Sequence, residues 1–250
     1  MSNSQDLDLI FREWPFKPGA ISARLIKAAD GRDVLQMRIE MGLLQMEVAG
    51  RPDGEKPHGA DTYLEWLNAQ AAEQGEQGVP FVLTAAQCME IDREFLQFYH
   101  RRICCLALRQ FARAVADADH TLALMDFVAA YSPEPQWTTS HEQYRPFVVF
   151  HRVQSAAMVV LQKSGPEAAI EEIGHGLEQM RSLFVKFEAE EQFDHDELVG
   201  QLIEMKESLR QEYRLGRTLA EQLADAVATE EFERAARLRD EIAKRRGGVR

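Results

Sequence analysis

The 250-residue sequence is poor in the residues that build covalent cross-links and metal sites. Its three cysteines are Cys88 and the adjacent Cys104 and Cys105, and none belongs to a C-x-x-C pair. Because this spacing gives no disulfide framework and the surroundings are helical in pattern, we expect buried, reduced thiols. The seven histidines form no H-E-x-x-H pair. The Asp194-His195-Asp196-Glu197 run could chelate a metal but equally suits a helix cap, so we expect neither metal nor cofactor.

Long hydrophobic runs are also missing. The most apolar run lies around residues 147–161 and is interrupted by His151, Arg152 and Gln154. It therefore falls short of the roughly 18 apolar residues of a membrane span. The start of the chain, Met1 to Asp8, is polar and acidic and does not have the pattern of a signal peptide. We expect a cytoplasmic protein that does not enter a membrane.

Basic residues are few relative to acidic ones. The chain holds 29 Lys and Arg against 41 Asp and Glu, which gives a formal net charge of −12. Nucleic acids and anionic membranes are polyanions, so this charge argues against direct binding to either. The charge is regional, because residues 166–212 hold 13 acidic and 4 basic residues, whereas residues 216–250 hold 7 and 8. The argument is therefore weaker for the C-terminal segment.

No motif of catalysis is present in the sequence. There is no G-x-x-x-x-G-K-[ST] phosphate loop and no recognisable pair of a nucleophile and a base, so we expect no enzyme. One loop is a candidate binding site: Arg51-Pro52-Asp53-Gly54, followed by Pro57-His58-Gly59. Arg51, Asp53 and His58 could contact a ligand there, although proline and glycine at this density equally indicate turns.

The sequence does contain a short alternating segment followed by a long helical one. Apolar and polar residues alternate over 21–27, 34–40 and 44–48, with turn signals between them, which predicts a three-stranded antiparallel meander. An apolar stripe after Asp61 predicts a helix on which this sheet could pack. From Thr84 onward, capping signals and helical periodicity continue to the end. The expected fold class is α+β, mostly α.

Composition suggests three domains: residues 1–80, with a polar linker at 73–80, then a helical bundle over 81–215 and a helical hairpin over 216–250. Within the bundle, residues 106–122 and 161–177 resemble each other and the tetratricopeptide repeat. Each reads as helix, tight turn and a second helix with small residues, such as Ala114 and Ala169. These two alanines are 55 residues apart rather than about 34, so the resemblance implies a small bundle with repeat-like packing.

The C-terminal segment carries the most specific motif of the chain. Residues 219–242 include the run Glu-Phe-Glu-Arg-Ala-Ala-Arg-Leu-Arg-Asp at 231–240. This segment resembles the UVR motif, which is shared by the excision-repair proteins UvrB and UvrC, by ClpC-type unfoldases and by McsA-type adaptors. The short polar join at Thr229-Glu230-Glu231 predicts an αα-hairpin. Two short helices bury too little surface to fold alone, so the hairpin must pack on its own bundle or on a second chain.

The resemblance implies that the hairpin pairs with another hairpin or with the helices of a partner. The residues assigned to partner binding are Leu219, Leu223, Val227, Phe232, Ala235, Ala236, Leu238, Arg239 and Ile242. The leading hypothesis is a bacterial, cytoplasmic, non-catalytic adaptor that docks on a protein partner or on its own copy as a homo-oligomer. An accessory factor of nucleotide excision repair and a regulator of a ClpC-type protease system are the alternatives. The structural alternative is a hairpin that only closes its own bundle.

Overall fold

The N-terminal part of the computed structural model is a small sheet. The structure describes residues 6–247, so the expectation for Met1 to Asp8 falls mostly outside it. A short helix, α1 (Asp8–Glu13), precedes the strands β1 (Ser22–Lys27), β2 (Asp33–Ile39) and β3 (Gly42–Glu47). The strands pair antiparallel in the order β1-β2-β3, and Leu35 of β2 lies between Leu25 and Met46 in the register. The predicted meander is confirmed.

Helices make up the rest of the described chain. After a 3-10 turn at Pro57–Gly59 they are α2 (Tyr63–Glu76), α3 (Ala85–Ala107), α4 (Phe111–Tyr131), α5 (Pro135–Glu142), α6 (Arg145–Ser164), α7 (Pro166–Lys186), α8 (Glu197–Glu212), α9 (Leu219–Ala228) and α10 (Phe232–Gly247). The expected class, α+β and mostly α, is confirmed. Helix α5 is separated from α4 by Pro133 and begins at Pro135. Pro135 lies in the first turn of α5, where a helix does not need its missing N–H.

The sheet packs on α3 rather than on α2, which was the helix expected to cover it. Leu35 and Met46 share a core with the thiols of Cys104 and Cys105 and with Ala114 at the start of α4. Both thiols are fully buried, and burial raises the pKa of each to about 12, so they are inert hydrophobic groups in this core. The apolar stripe of α2 packs instead against α3 and α4, where it forms a second core.

The chain folds into two compact units, Met1–Ser155 and Ala156–Arg250, and the division falls inside α6. The sequence suggested boundaries near residues 80 and 215. The first of these lies within a shared core, since Leu64 and Leu67 of α2 pack with Leu83, Ile91 of α3 and Leu124 of α4. The sheet, α2 and the α3–α4 pair therefore belong to one unit.

The second unit contains α7, α8 and the hairpin of α9 and α10. Helix α7 packs against α8, and a 3-10 turn at Glu190–His195 joins them. Phe193 of this turn is buried and lies edge-on to Phe184 of α7 at 5.5 Å. Asp196 is the N-cap of α8, and its carboxylate accepts the Val199 N–H at 3.0 Å. The acidic run around His195 therefore includes a helix cap, one of its two predicted roles.

Candidate functional site

The two helices of the C-terminal hairpin meet along an apolar seam. Ala226 of α9 and Ala235 and Leu238 of α10 are buried in it, and the partly buried Leu219 and Leu223 pack against them. Each set recurs at helical spacing, so it occupies one face of its helix. Four of the nine residues assigned to partner binding (Leu219, Leu223, Ala235 and Leu238) thus hold the hairpin together from within.

The other assigned residues are mostly on the outside of the hairpin. Phe232 is 68% exposed and Val227 is 54% exposed, and these two side chains flank the connection between the helices. Ala236 and Arg239 are also exposed, whereas Ile242 is half-buried. Phe232, Ala236 and Arg239 are spaced i, i+4, i+7 and therefore form one stripe along α10. We call Val227 together with this stripe the outer surface of the hairpin.

A cluster of charged side chains ties α9 to α8. The Glu221 carboxylate accepts hydrogen bonds from Arg210 at 2.6 Å and from Lys206 at 2.9 Å. Arg210 also donates to the carbonyl oxygen of Gly216 at 2.6 Å. Glu221 and Thr218 form a capping box at the start of α9, and Thr218 is buried. This Glu221 clasp fixes the first turn of the hairpin to the bundle of its own chain.

The hydrogen bonds of the clasp outweigh the effect of burial on the Glu221 carboxyl. Burial alone would raise its pKa, but the hydrogen bonds from Arg210 and Lys206 lower the pKa to about 2. A carboxyl whose pKa is lower in the folded state stabilises it above the unfolded pKa of 4.5. This stabilisation is lost as the pH falls from 4.5 toward 2. The clasp is therefore fully formed at neutral pH.

We predict that Glu221→Gln loosens α9 at pH 7. The neutral amide keeps the shape of the side chain but loses its ion pairs with Lys206 and Arg210. Because the Glu221 side chain is 24% exposed and screened by water, we expect a cost of about 1–2 kcal/mol. Amide hydrogen exchange in α9 should become roughly 5–30-fold faster. The exposed Glu230→Gln change should leave exchange unaltered, and equal rates in all three proteins would contradict this role of Glu221.

A groove of about 740 Å³ lies between α7, α8 and α9, and the clasp residues Lys206, Arg210 and Glu221 form part of its wall. Its walls include Ile170 and Leu177 of α7, Ile203 of α8 and the small side chains Ala220 and Ala224 of α9. The groove leaves open space beside Ala220 and Ala224 of α9. The Thr218–Glu221 capping box was not predicted, although its T-x-x-E spacing is a sequence signal for one. The long-range partners Lys206 and Arg210 have no such signal.

The Arg51 loop, the second candidate site, is occupied by internal contacts. The Arg51 side chain is 3% exposed and lies within 3.0–3.5 Å of the carboxylates of Asp53, Glu90 and Glu94. The ring of His58 stacks on Trp66 at 4.0 Å, and His58 has a positive φ of 53°. These contacts give Arg51 and His58 structural roles in the turn before α2.

The described part of the chain has neither a metal-binding cluster nor a membrane-spanning helix. Residues 6–247 contain no group of three or more His, Cys, Asp or Glu side chains arranged to hold a metal ion. None of the helices formed by these residues combines the length and the hydropathy that crossing a membrane requires.

Comparison with known proteins gives a family match for the hairpin alone. The family model described as the UvrB/uvrC motif matches residues 216–245, which span α9 and most of α10. This motif is associated with protein–protein interactions and with interactions related to DNA repair. No curated protein and no solved structure matches the chain. The repeat-like packing of the helical bundle stays a prediction.

Proposed function

We propose that this protein is a non-catalytic adaptor that docks on a protein partner, or on a second copy of itself, through the outer surface of the C-terminal hairpin. The match to the UvrB/uvrC motif supports an interaction role for this segment. The observation that carries the proposal is the 68% exposure of Phe232 at the start of α10, next to the 54% exposed Val227. Aromatic side chains of this kind are the usual anchors of protein interfaces.

The chemistry of the outer surface favours a helical partner. Phe232 supplies an apolar anchor, and Ala236 one turn later allows a second helix to approach closely. Arg239, the next residue of the stripe, supplies a cation that suits an acidic side chain on the partner. Because the Glu221 clasp already holds the other end of the hairpin to its own bundle, the outer surface is the part of the motif that is free to bind a second protein.

The proteins that share the motif suggest two classes of partner. A component of nucleotide excision repair and a ClpC-type protease system are the two alternatives, both in the cytoplasm of a bacterium. The acidic charge of residues 166–212 favours contact with protein rather than directly with DNA. We therefore place the protein as an accessory that joins such an assembly through protein–protein contacts.

We predict that Phe232→Asp strongly weakens docking and leaves the fold intact. The substitution puts a charge in the centre of the proposed interface, where its desolvation is not compensated, and should weaken association on the order of ten-fold or more. Light scattering coupled to size-exclusion chromatography measures self-association. Quantitative mass spectrometry of purified complexes, with UvrB-like and ClpC-type proteins as named candidates, measures binding to a partner.

Two further variants separate docking from folding. Arg237→Asp places an equivalent charge on an exposed position of α10 outside the stripe and should preserve association. Leu223→Asp buries a charge in the seam and should unfold the hairpin, which circular dichroism would record as lost helix. If Phe232→Asp retains the same mass and the same partners as Arg237→Asp, the adaptor proposal is wrong.

A further inference from the structure

An aromatic cavity lies within the first unit. It has a volume of about 870 Å³ and is lined by residues of α3, α5 and the start of α6, together with the residue that joins the last two helices. Its aromatic walls are Phe95, Tyr99, Trp137, Tyr144 and Phe147. A cavity of this size with walls that are mainly aromatic is typical of small-molecule sites.

The aromatic rings of this cavity are only partly covered by the protein. Tyr144 is 50% exposed, and the other four aromatic residues of the wall are half-buried. Phe95 and Tyr144 contact each other in a tilted arrangement, with their ring centroids 6.1 Å apart. The protein therefore leaves aromatic surface in contact with water, and a ligand that covers this surface gains the free energy of burying apolar area.

The acidic group in the cavity wall already has partners within the protein. Asp92 accepts a hydrogen bond from Trp137 Nε1 at 3.2 Å and lies 3.0 Å from Nε2 of His141. The other ring nitrogen of His141, Nδ1, lies 3.0 Å from the carbonyl oxygen of Trp137. The Asp92 carboxylate is thus accompanied by two polar partners that tie α5 to α3.

The basic group in the wall is not accessible from the cavity. Arg102 is 1% exposed, and its guanidinium donates hydrogen bonds to Thr121 Oγ1 at 2.8 Å and to His151 Nδ1 at 3.4 Å. Neither of these partners lines the cavity, and the charge of Asp117 also acts on Arg102. Among the described residues, the cavity therefore offers a ligand neither an unpaired cation nor an unpaired anion.

Two uncharged polar groups of the wall have no partner among residues 6–247. They are the hydroxyl groups of Tyr99 and Tyr144, which make no hydrogen bond to another side chain or to the backbone there. The hydroxyl group of Ser140, in contrast, donates to the carbonyl oxygen of Trp137 at 2.6 Å. A phenol both donates and accepts, so a wall of this kind suits a ligand with an uncharged polar substituent.

We propose that this cavity binds a small, uncharged aromatic molecule, with its ring packed against the aromatic walls. A charged ligand would lose its hydration there without gaining a counter-charge, because the charged groups of the wall already have their partners. Offset stacking and edge-on contacts with the aromatic side chains orient the ring of the ligand. The proposal does not depend on docking through the hairpin, so either can fail without the other.

Isothermal titration calorimetry of the full chain with 2-naphthylmethanol tests the site. Two charged counterparts keep the same fused ring: 2-naphthoate is an anion and 2-naphthylmethylammonium is a cation. We expect the alcohol to bind saturably and on the order of ten-fold more tightly than either ion, because only the ions carry a charge whose lost hydration is not compensated. No saturable binding of the alcohol, or an ion that binds as tightly as the alcohol, would overturn the proposal.

Two tyrosine variants test whether the alcohol occupies this cavity. Tyr144→Ala removes a half-exposed ring from the wall and should weaken binding of the alcohol on the order of five-fold. Tyr213→Ala removes a tyrosine of similar exposure, 43%, that does not line the cavity, and should leave the affinity unchanged. Wild-type affinity in Tyr144→Ala, or an equal loss in both variants, would overturn the assignment to this cavity. The comparison of the three ligands on the wild type decides the proposal if Tyr144→Ala does not fold.

Discussion

Replacing Glu94 with alanine is expected to lower the free energy of unfolding of the first unit by about 3–5 kcal/mol. The Glu94 side chain of α3 is 0% exposed, yet its carboxylate has four close partners. It accepts the N–H groups of Tyr63 at 2.7 Å and Leu64 at 3.1 Å, and it lies 3.0 Å from His120 Nε2 and 3.5 Å from Arg51 Nε. Removing it leaves the buried N–H groups of Tyr63 and Leu64 without this acceptor, whereas Arg51 keeps the carboxylates of Asp53 and Glu90.

The position of Glu94 explains why the loss should be large. Tyr63 and Leu64 are the first residues of α2, whose N–H groups have no partner within the helix. A buried helix start needs an acceptor from elsewhere, and a negative charge also suits the positive end of the helix dipole. Burial alone would raise the pKa of Glu94, but the bonds from His120 and Tyr63 lower it, so the carboxylate is ionised at pH 7.

Denaturant unfolding followed by tryptophan fluorescence measures this loss. All three tryptophans lie in the first unit, so the signal reports on that unit alone: Trp14, Trp66 and Trp137. Glu94→Gln retains one acceptor oxygen and should cost about 1–3 kcal/mol. Glu90→Gln, one turn earlier and 39% exposed, removes a water-exposed carboxylate from Arg51, which keeps Asp53 and Glu94 as partners, and should cost below about 1 kcal/mol. Equal losses at positions 90 and 94 would contradict this account of α2.

Local patterns were sufficient to predict most of the elements. Alternation predicted the three strands, and the Thr84–Gln87 capping box marked the start of α3, where both of its hydrogen bonds are present. The tight turn predicted within residues 161–177 is present, since Gly165 has a φ of 89° and Pro166 lies in the first turn of α7. Each of these signals acts within a few residues, so the sequence displays it directly.

The buried charges could not be predicted in this way. Glu94 and Arg102 lie on α3 among other polar residues, and periodicity alone treats such residues as parts of a solvated face. Their burial depends on partners far along the chain, because Glu94 binds N–H groups 30 and 31 residues away and Arg102 contacts His151 49 residues away. The hairpin is the opposite case, since its seam and its exposed stripe are both set by spacings within one short segment.

Acidification from pH 7 to about 4.5 is expected to destabilise the first unit through His151. The ring of His151 is buried, and burial together with the charge of Arg102 lowers its pKa from 6.5 to about 4. In the unfolded chain His151 therefore becomes protonated near pH 6.5, whereas in the folded chain it stays neutral down to about pH 4. The contribution to stability is complete above pH 6.5 and is lost as the pH falls toward 4, by about 2–3 kcal/mol at pH 4.5.

His151→Gln isolates this contribution, because glutamine can accept the hydrogen bond from Arg102 and does not titrate. Tryptophan-detected unfolding at pH 7 and at pH 4.5 should show a difference in stability that is smaller by about 2–3 kcal/mol in the variant than in the wild type. In Arg102→Met the neighbouring cation is gone, so the pKa of His151 should rise toward 6.5. The loss of stability between pH 7 and pH 4.5 should therefore be smaller than in the wild type. A His151→Gln protein with the full wild-type acid sensitivity would show that the loss comes from other groups, and that the Arg102 cation does not keep this ring neutral.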